Sequence, residues 1–261
     1  QEAAMPYEWQ PKLKKVAEDF GMLFFSSPFD LEAVDFLESI GVGMYKIASM
    51  EITDIPLISY IASCQKPIII STGVAEPDDI ELALQTCYLR GNHQVSLLKC
   101  TSEYPAPVEK ANLLTIPDMI NKYKVPVGVS DHTMGSIVPV VAVSLGAVIV
   151  EKHFILERKL GGPDSGFSME PHEFKEMVNT VRLAEKAKGE ISYVVSEKDK
   201  SRRRSLFVVK DIGKGETLTS ENIRSIRPGA GLHPKFIEEI IGKKARTNIQ
   251  KGSALSMDDV D

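Results

Sequence analysis

The sequence predicts an α/β fold: a (β/α)8 barrel that lacks its first two strands in this chain, followed by a small C-terminal β domain. Three observations lead there. Six short apolar segments recur at intervals of 22 to 30 residues, starting at Met22, Met44, Pro67, Val95, Val125 and Ala147, and a helical pattern follows each. The ends of these segments are unusually polar. Beyond about Ile191 the pattern changes to a charged stretch and then an internal repeat.

Near-continuous apolar strands suit a parallel sheet covered on both faces. Their alternation with helices indicates βα units. Six units fall two short of a closed barrel, and a six-stranded open sheet is the alternative. The barrel is preferred because the chain starts with a helical stretch, Trp9 to Phe20, that feeds a strand. That stretch reads as the helix before the third barrel strand.

Each helix carries its own signals. Asp30 suits a cap ahead of Leu31, Val34 and Leu37, which share one face. Pro77 fits a first helical position before Ile80, Leu84 and Cys87. Pro171 opens a long amphipathic stretch through Phe174, Met177, Val178 and Val181 that ends near Gly189.

This gives a barrel domain at residues 1–190, a linker at 191–202 and a small domain at 203–261. The run Glu197 to Arg204 is charged, as a linker or a solvated helix end would be. In the last domain Asp211 to Leu218 (DIGKGETL) matches Asn248 to Leu255 (NIQKGSAL), 37 residues later. Each Lys-Gly suits a tight turn, because glycine accepts positive φ at little cost. Two related β halves are expected.

Composition narrows the function classes. Hydrophobic residues make up 43% and charged residues 26% of 261 residues, ordinary for a globular protein with a sizeable core. The formal net charge of −5 offers no field that would attract nucleic acid or an anionic membrane. The longest nearly apolar run, Ile137 to Val150, is too short to span a bilayer. Cys64, Cys87 and Cys100 have no metal-type spacing and read as reduced thiols of a cytoplasmic protein.

In parallel α/β folds the site lies beyond the C-terminal strand ends. The candidates there are Ser27, Lys46, Ser49, Glu51, Ser71, Ser102, Tyr104, Ser130, His132 and His153. One polar strand end is weak testimony; six in succession on one rim are strong. A lone histidine is more often a hydrogen-bonded core residue. His132 and His153 end adjacent strands, and two imidazoles suit a borderline divalent metal with open positions left for water or substrate. Ser27, Ser49, Ser71, Ser130 and Lys46 suit a phosphate. Helix capping would explain any one of the serines. It would not explain Lys46, since a lysine inside an apolar strand needs a partner. Glu51 suits acid–base work or a substrate hydroxyl, or else a helix-start carboxylate. Asp164 reads first as a turn former, and Arg227 as a surface arginine.

These residues fall in motifs that resemble the sialic acid synthase family over essentially the whole chain. They are KIASME (Lys46 to Glu51), STG (Ser71 to Gly73), KCTSEYP (Lys99 to Pro105), SDHT (Ser130 to Thr133), EKHF (Glu151 to Phe154) and GPDSGFSM (Gly162 to Met169). KDIGKGE and RPGAGLHPKF resemble the family's antifreeze-like SAF (β-clip) domain. PYEW, FSSPF, DSGFS and GLHPKF point within the family to its pseudaminic acid branch. The N-acetylneuraminate, legionaminate and spore-coat polysaccharide branches are the alternatives.

The resemblance implies a transferase that condenses phosphoenolpyruvate with an open-chain N-acetylated amino sugar and releases phosphate. For the pseudaminic branch the sugar is a 2,4-diacetamido-2,4,6-trideoxy hexose. It implies Mn²⁺, with Mg²⁺ or Co²⁺ as alternatives, on His132 and His153. Phosphoenolpyruvate would meet Lys46, Ser49, Ser71 and Ser130, with Ser27 beside them. Glu51, Ser102, Tyr104 and Asp164 would face the sugar, and Lys46, Glu51 and Asp164 are the catalytic candidates. Arg227 would reach the sugar across a homodimer with exchanged SAF domains. One departure stands out. The family's A-E-x-x-x-N-H and K-x-Q segments, which supply a catalytic Glu and a phosphate-binding Lys, are not in this chain. The expectation is a chain missing its first barrel strands, inactive or unstable alone. Two other readings are another metal-dependent barrel aldolase or lyase, and a non-catalytic sugar- or ice-binding protein. Flat, metal-free ice-binding surfaces do not match a polar rim with two histidines.

Overall fold

A computed structural model describes residues 5–261. The chain divides into two compact units, Gln1–Gly189 and Glu190–Asp261.

The first unit is built on five parallel strands, β1 (Tyr45–Ile47), β2 (Ile68–Ser71), β3 (Val95–Cys100), β4 (Val127–Asp131) and β5 (Val150–Lys152), paired in sequence order. The helices are α1 (Gln10–Asp19), α2 (Leu31–Ser39), α3 (Ile55–Ser63), α4 (Pro77–Leu89), α5 (Thr115–Tyr123), α6 (Ile137–Ser144) and α7 (Pro171–Lys188). Sheet and helices together form a partial (β/α) barrel. Among the described residues no helix is long and apolar enough to cross a membrane.

Local chemistry sets the helix starts. The Asp30 carboxylate accepts the Ala33 N–H at 2.7 Å and caps α2. Pro77 and Pro171 occupy first turns, each behind a capping box, Glu76 with Asp79 and Glu170 with Glu173.

The strand register sorts side chains between two faces. Tyr45, Ile47, Ile68, Ile70, Val95, Leu97, Val127 and Val129 join the helices' apolar stripes in one core. The alternate positions line the other face, with Ser71 beside Leu98 and Leu98 beside Gly128. Gly128 is needed there: a Cβ would lie 2.5 Å from the Ile149 carbonyl oxygen and 2.7 Å from Leu98 Cδ2.

The first expected strand, from Met22, is corrected. It contributes a single parallel bridge, Ser26 to Tyr45, with the Lys46 N–H donating to the Ser26 carbonyl at 3.2 Å. Only Phe24 of its apolar residues packs on the core, while Met22 and Leu23 are exposed. Pro28 ends it with no N–H to offer the ladder.

In the second unit α8 (Glu197–Ser201) occupies the charged run. β6 (Ser205–Val208) and β7 (Ile223–Ile226) pair antiparallel, and α9 (Ile237–Ile240) follows. The sequence repeat is visible as pairing. Ile212 and its counterpart Ile249 exchange both backbone hydrogen bonds, at 2.9 and 2.8 Å. The Asn248 side chain accepts the Lys214 N–H at 2.7 Å, and the Asp211 side chain accepts the Lys251 N–H at 2.6 Å. Gly215 and Gly252 turn at φ +80° and +90°.

Gly128→Val tests the close contact inside the sheet. Overpacking against backbone should cost about 1–3 kcal/mol. Urea unfolding should show a lower midpoint with an unchanged slope.

Candidate functional site

The C-terminal strand ends gather the expected polar residues. By the register, Lys46, Ser71, Cys100, Ser130 and Glu151 face away from the helix-packed core. His132 and His153 follow two residues beyond Ser130 and Glu151.

His132 and His153 come together. Their ring centroids are 5.2 Å apart and nearly perpendicular. The His132 Nδ1 lies 2.9 Å from the Thr101 carbonyl, so Nδ1 carries the proton and Nε2 keeps its lone pair. His153 Nδ1 lies 3.6 Å from an Asp164 carboxylate oxygen. Tyr104 stacks at a tilt over His132 with centroids 4.3 Å apart, and Phe167 packs on His153 at 4.9 Å. Among the described residues no group of three or more His, Cys, Asp and Glu side chains is placed to hold a metal ion. The Thr101 carbonyl leaves His132 in the Nδ1–H tautomer, with Nε2 free to accept a partner.

The proton affinities of the two rings are shifted in opposite directions. Burial and the neighbouring His132 hold His153 below the usual imidazole value. Burial would lower His132 as well. Hydrogen bonds that the ring donates to Cys100 and the Thr101 carbonyl outweigh it and hold His132 above the usual value. The same neighbourhood holds the Cys100 thiol below its ordinary value: burial raises it, but His132, Ser49 and Ser102 lower it more.

Around Lys46 the partners are acidic and hydroxylic. Lys46 Nζ lies 3.4 Å from one Glu151 oxygen, and Ser130 Oγ donates to the other at 2.6 Å. Ser49 Oγ accepts the Gly73 N–H at 3.1 Å. Ser71 Oγ and Glu51 Oε2 are buried with no hydrogen-bond partner. Helix capping, the plain alternative for Ser49, Ser71 and Ser130, is thereby excluded: none caps a helix with its hydroxyl. A Cβ on Gly73 would lie 2.1 Å from Ser102 Oγ, 2.9 Å from Ser49 Oγ and 3.0 Å from Cys100 Sγ. Glycine is what lets these three polar groups converge.

Asp164 and Phe167 ride on the segment after β5. Arg158 pins it, donating to both Glu173 oxygens at 2.5 and 2.7 Å and to the Ser168 carbonyl at 3.0 Å. The Arg158 guanidinium and the Glu170 backbone N–H pull the Glu173 carboxyl down to about 2. Tyr104 and Asp164 stay about half exposed, open to a ligand. Ser27 is half-buried, next to the bridge residue Ser26 at the sheet edge. Arg227 is exposed in the second unit, just after β7.

The NeuB family model matches residues 1–193, and the SAF domain model matches 203–261. The chain belongs to the NeuB family. The pseudaminic acid synthase of Helicobacter pylori is 44% identical over 265 residues, covering 100% of this chain and 78% of that protein. The pseudaminic acid synthase of Campylobacter jejuni serotype O:2 is 44% identical over 260 residues, covering 98% and 76%. The crystal structure of the spore coat polysaccharide biosynthesis protein spsE of Bacillus subtilis superposes with a TM-score of 0.70 at 34% identity, covering 99% of this chain and 78% of that one.

Sequence reasoning missed four residues that the structure brings into this cluster: Glu151, Gly73, Thr101 and Phe167. Glu151 had a signal. It stands two residues before His153, so strand periodicity puts both on one face. The roles of Gly73 and Thr101 arise from contacts across strands, which a single segment does not display.

Two outcomes test the electrostatics. In metal-free protein, NMR titration of the imidazoles should show His153 losing its proton below pH 6.5 and His132 above it. Glu173 binds its proton less readily folded than unfolded. Its stabilisation is present above about pH 4.5 and lost as pH falls toward 2. Acid unfolding of Glu173→Gln should lack that part of the parent's pH dependence.

Proposed function

We propose that the protein is a pseudaminic acid synthase: it condenses phosphoenolpyruvate with an open-chain 2,4-diacetamido-2,4,6-trideoxy hexose, giving a nine-carbon 2-keto acid and phosphate. One observation carries the chemistry. Buried polar atoms without partners, Ser71 Oγ and Glu51 Oε2, share one strand-end rim with Lys46 and two imidazoles. Buried polar groups are rarely left unpaired, and a polar ligand would satisfy these. The identity to two pseudaminic acid synthases across nearly the whole chain supports the choice of sugar.

In this reading Lys46 supplies the fixed positive charge for phosphoenolpyruvate, with Ser49 and Ser71 donating to its oxygens, Ser130 joining them once its hydroxyl turns away from Glu151, and Ser27 at the margin. Glu151 holds Lys46 and Ser130 in place before substrate arrives. Glu51, Ser102, Tyr104 and Asp164 face the sugar. Tyr104 packs on His132 and Phe167 on His153, each covering one face of its imidazole. C3 of phosphoenolpyruvate forms the new bond to the aldehyde carbon. Water then adds at C2 and phosphate departs, with Glu51 and Asp164 as the groups able to move protons.

His132 and His153 would hold a divalent cation, Mn²⁺ for preference, whose Lewis acidity would polarise the aldehyde oxygen. The reading includes a homodimer in which the SAF domains, residues 203–261 beyond the linker 191–202, are exchanged and Arg227 contacts the sugar at the partner subunit. The unpaired Cys64, Cys87 and Cys100 suit reaction in the cytoplasm.

Mass spectrometry of products from phosphoenolpyruvate and a panel of amino sugars tests the reading. The 2,4-diacetamido-2,4,6-trideoxy sugar should be preferred; preference for N-acetylmannosamine would overturn it. Ser71→Ala should raise KM for phosphoenolpyruvate about 5- to 10-fold, the loss of about one hydrogen bond. His132→Ala should lose bound metal, and unchanged metal content would remove the histidines from that role.

A further inference from the structure

Asp131 and Lys152 have no part in the chemistry above, yet they form the least exposed ion pair among those described. Their side chains are 1% and 2% exposed, with Lys152 Nζ 2.9 Å from Asp131 Oδ2. They are direct register partners across β4 and β5. Each immediately precedes one of the two histidines, so by strand alternation they lie behind the rim.

Their contacts converge on one residue. The other Asp131 oxygen accepts the Thr133 N–H at 2.8 Å, and Lys152 Nζ also donates to the Thr133 carbonyl. Both backbone polar groups of Thr133 are therefore held by the pair. His132 sits between two anchored residues, and His153 directly follows a third. A buried ion pair is no better for stability than a well-packed apolar pair. What it adds is direction: fixed donors and acceptors that tolerate one geometry.

We propose that the Asp131–Lys152 pair is a positioning device that sets the separation and orientation of the His132 and His153 imidazoles, so that a divalent cation meets a preformed seat. This rests on the metal reading above. The pair touches neither cation nor substrate. It acts through Thr133 and the two strand ends, as outer partners of metal-binding histidines do.

The test is Mn²⁺ affinity of the whole protein, read by electron paramagnetic resonance of free and bound ion, for four proteins: parent, His132→Ala, Asp131→Asn, and the double variant Asp131→Asn with Lys152→Met. The double variant removes one charge of each sign, so the net charge near the site is unchanged. At a temperature where circular dichroism shows it folded, its Kd should be at least about tenfold weaker. Nitrogen couplings to the bound ion should also change, which a pair serving stability alone would not cause. A folded double variant with parental affinity and couplings overturns the proposal. If the double variant does not fold, Asp131→Asn decides: it keeps the oxygen facing Thr133, and parental affinity there also overturns the proposal. His132→Ala separates the two failures. If it binds Mn²⁺ as the parent does, the metal reading falls and this inference with it. If it loses the ion while the other variants do not, only this inference falls.

Discussion

Side chains on a strand alternate, and each strand here must satisfy two environments at successive residues. β4 shows the consequence. Val127 and Val129 enter the helix-packed core, while Gly128 and Ser130 face the other way. The same alternation carries through the strand end, with Asp131 behind the rim and His132 on it. A one-residue slip would put the aspartate among the site groups and the imidazole among the helices. The parallel ladder and the Asp131–Lys152 pair both oppose that slip. The site therefore depends on register before it depends on any catalytic group.

The segments that carry their own pattern were legible in the sequence. Strand ends with Lys46, Ser71, Ser130, His132 and His153 could be found one at a time, because each follows an apolar run. Helix starts at Asp30, Pro77 and Pro171 announced themselves through local hydrogen-bond chemistry. The Met22 segment misled because apolar content measures burial, not pairing. Its residues have the composition of a strand but a ladder of one bridge. The Lys46–Glu151–Ser130 cluster could not be read, since its Lys46–Glu151 contact joins residues more than 100 positions apart. Lys46 did reveal that a partner must exist, because an in-strand lysine with no counter-charge would be costly to bury.

The aromatic and ionic parts of the site divide the work. Tyr104 and Phe167 flank the imidazoles without contributing charge. Arg158 and Glu173 fasten the segment that carries Phe167 and Asp164 to the first turn of α7. The fastening is rigid on one side only: Asp164 remains half exposed above His153. The wall is thus fixed while the carboxylate beside it stays accessible.

The second unit obeys a different economy. Ile212 pairs with Ile249, and the side chains of Asp211 and Asn248 each reach the lysine N–H of the opposite turn. These contacts are reciprocal, the hallmark of an isologous contact between identical partners. A pseudo-dyad therefore passes between the halves. A substitution at Asp211 and its counterpart at Asn248 would strike the same bond type twice, whereas one alone would leave the mirror bond standing. The duplicated motif gives the domain a built-in redundancy in which each half is the other's binding partner.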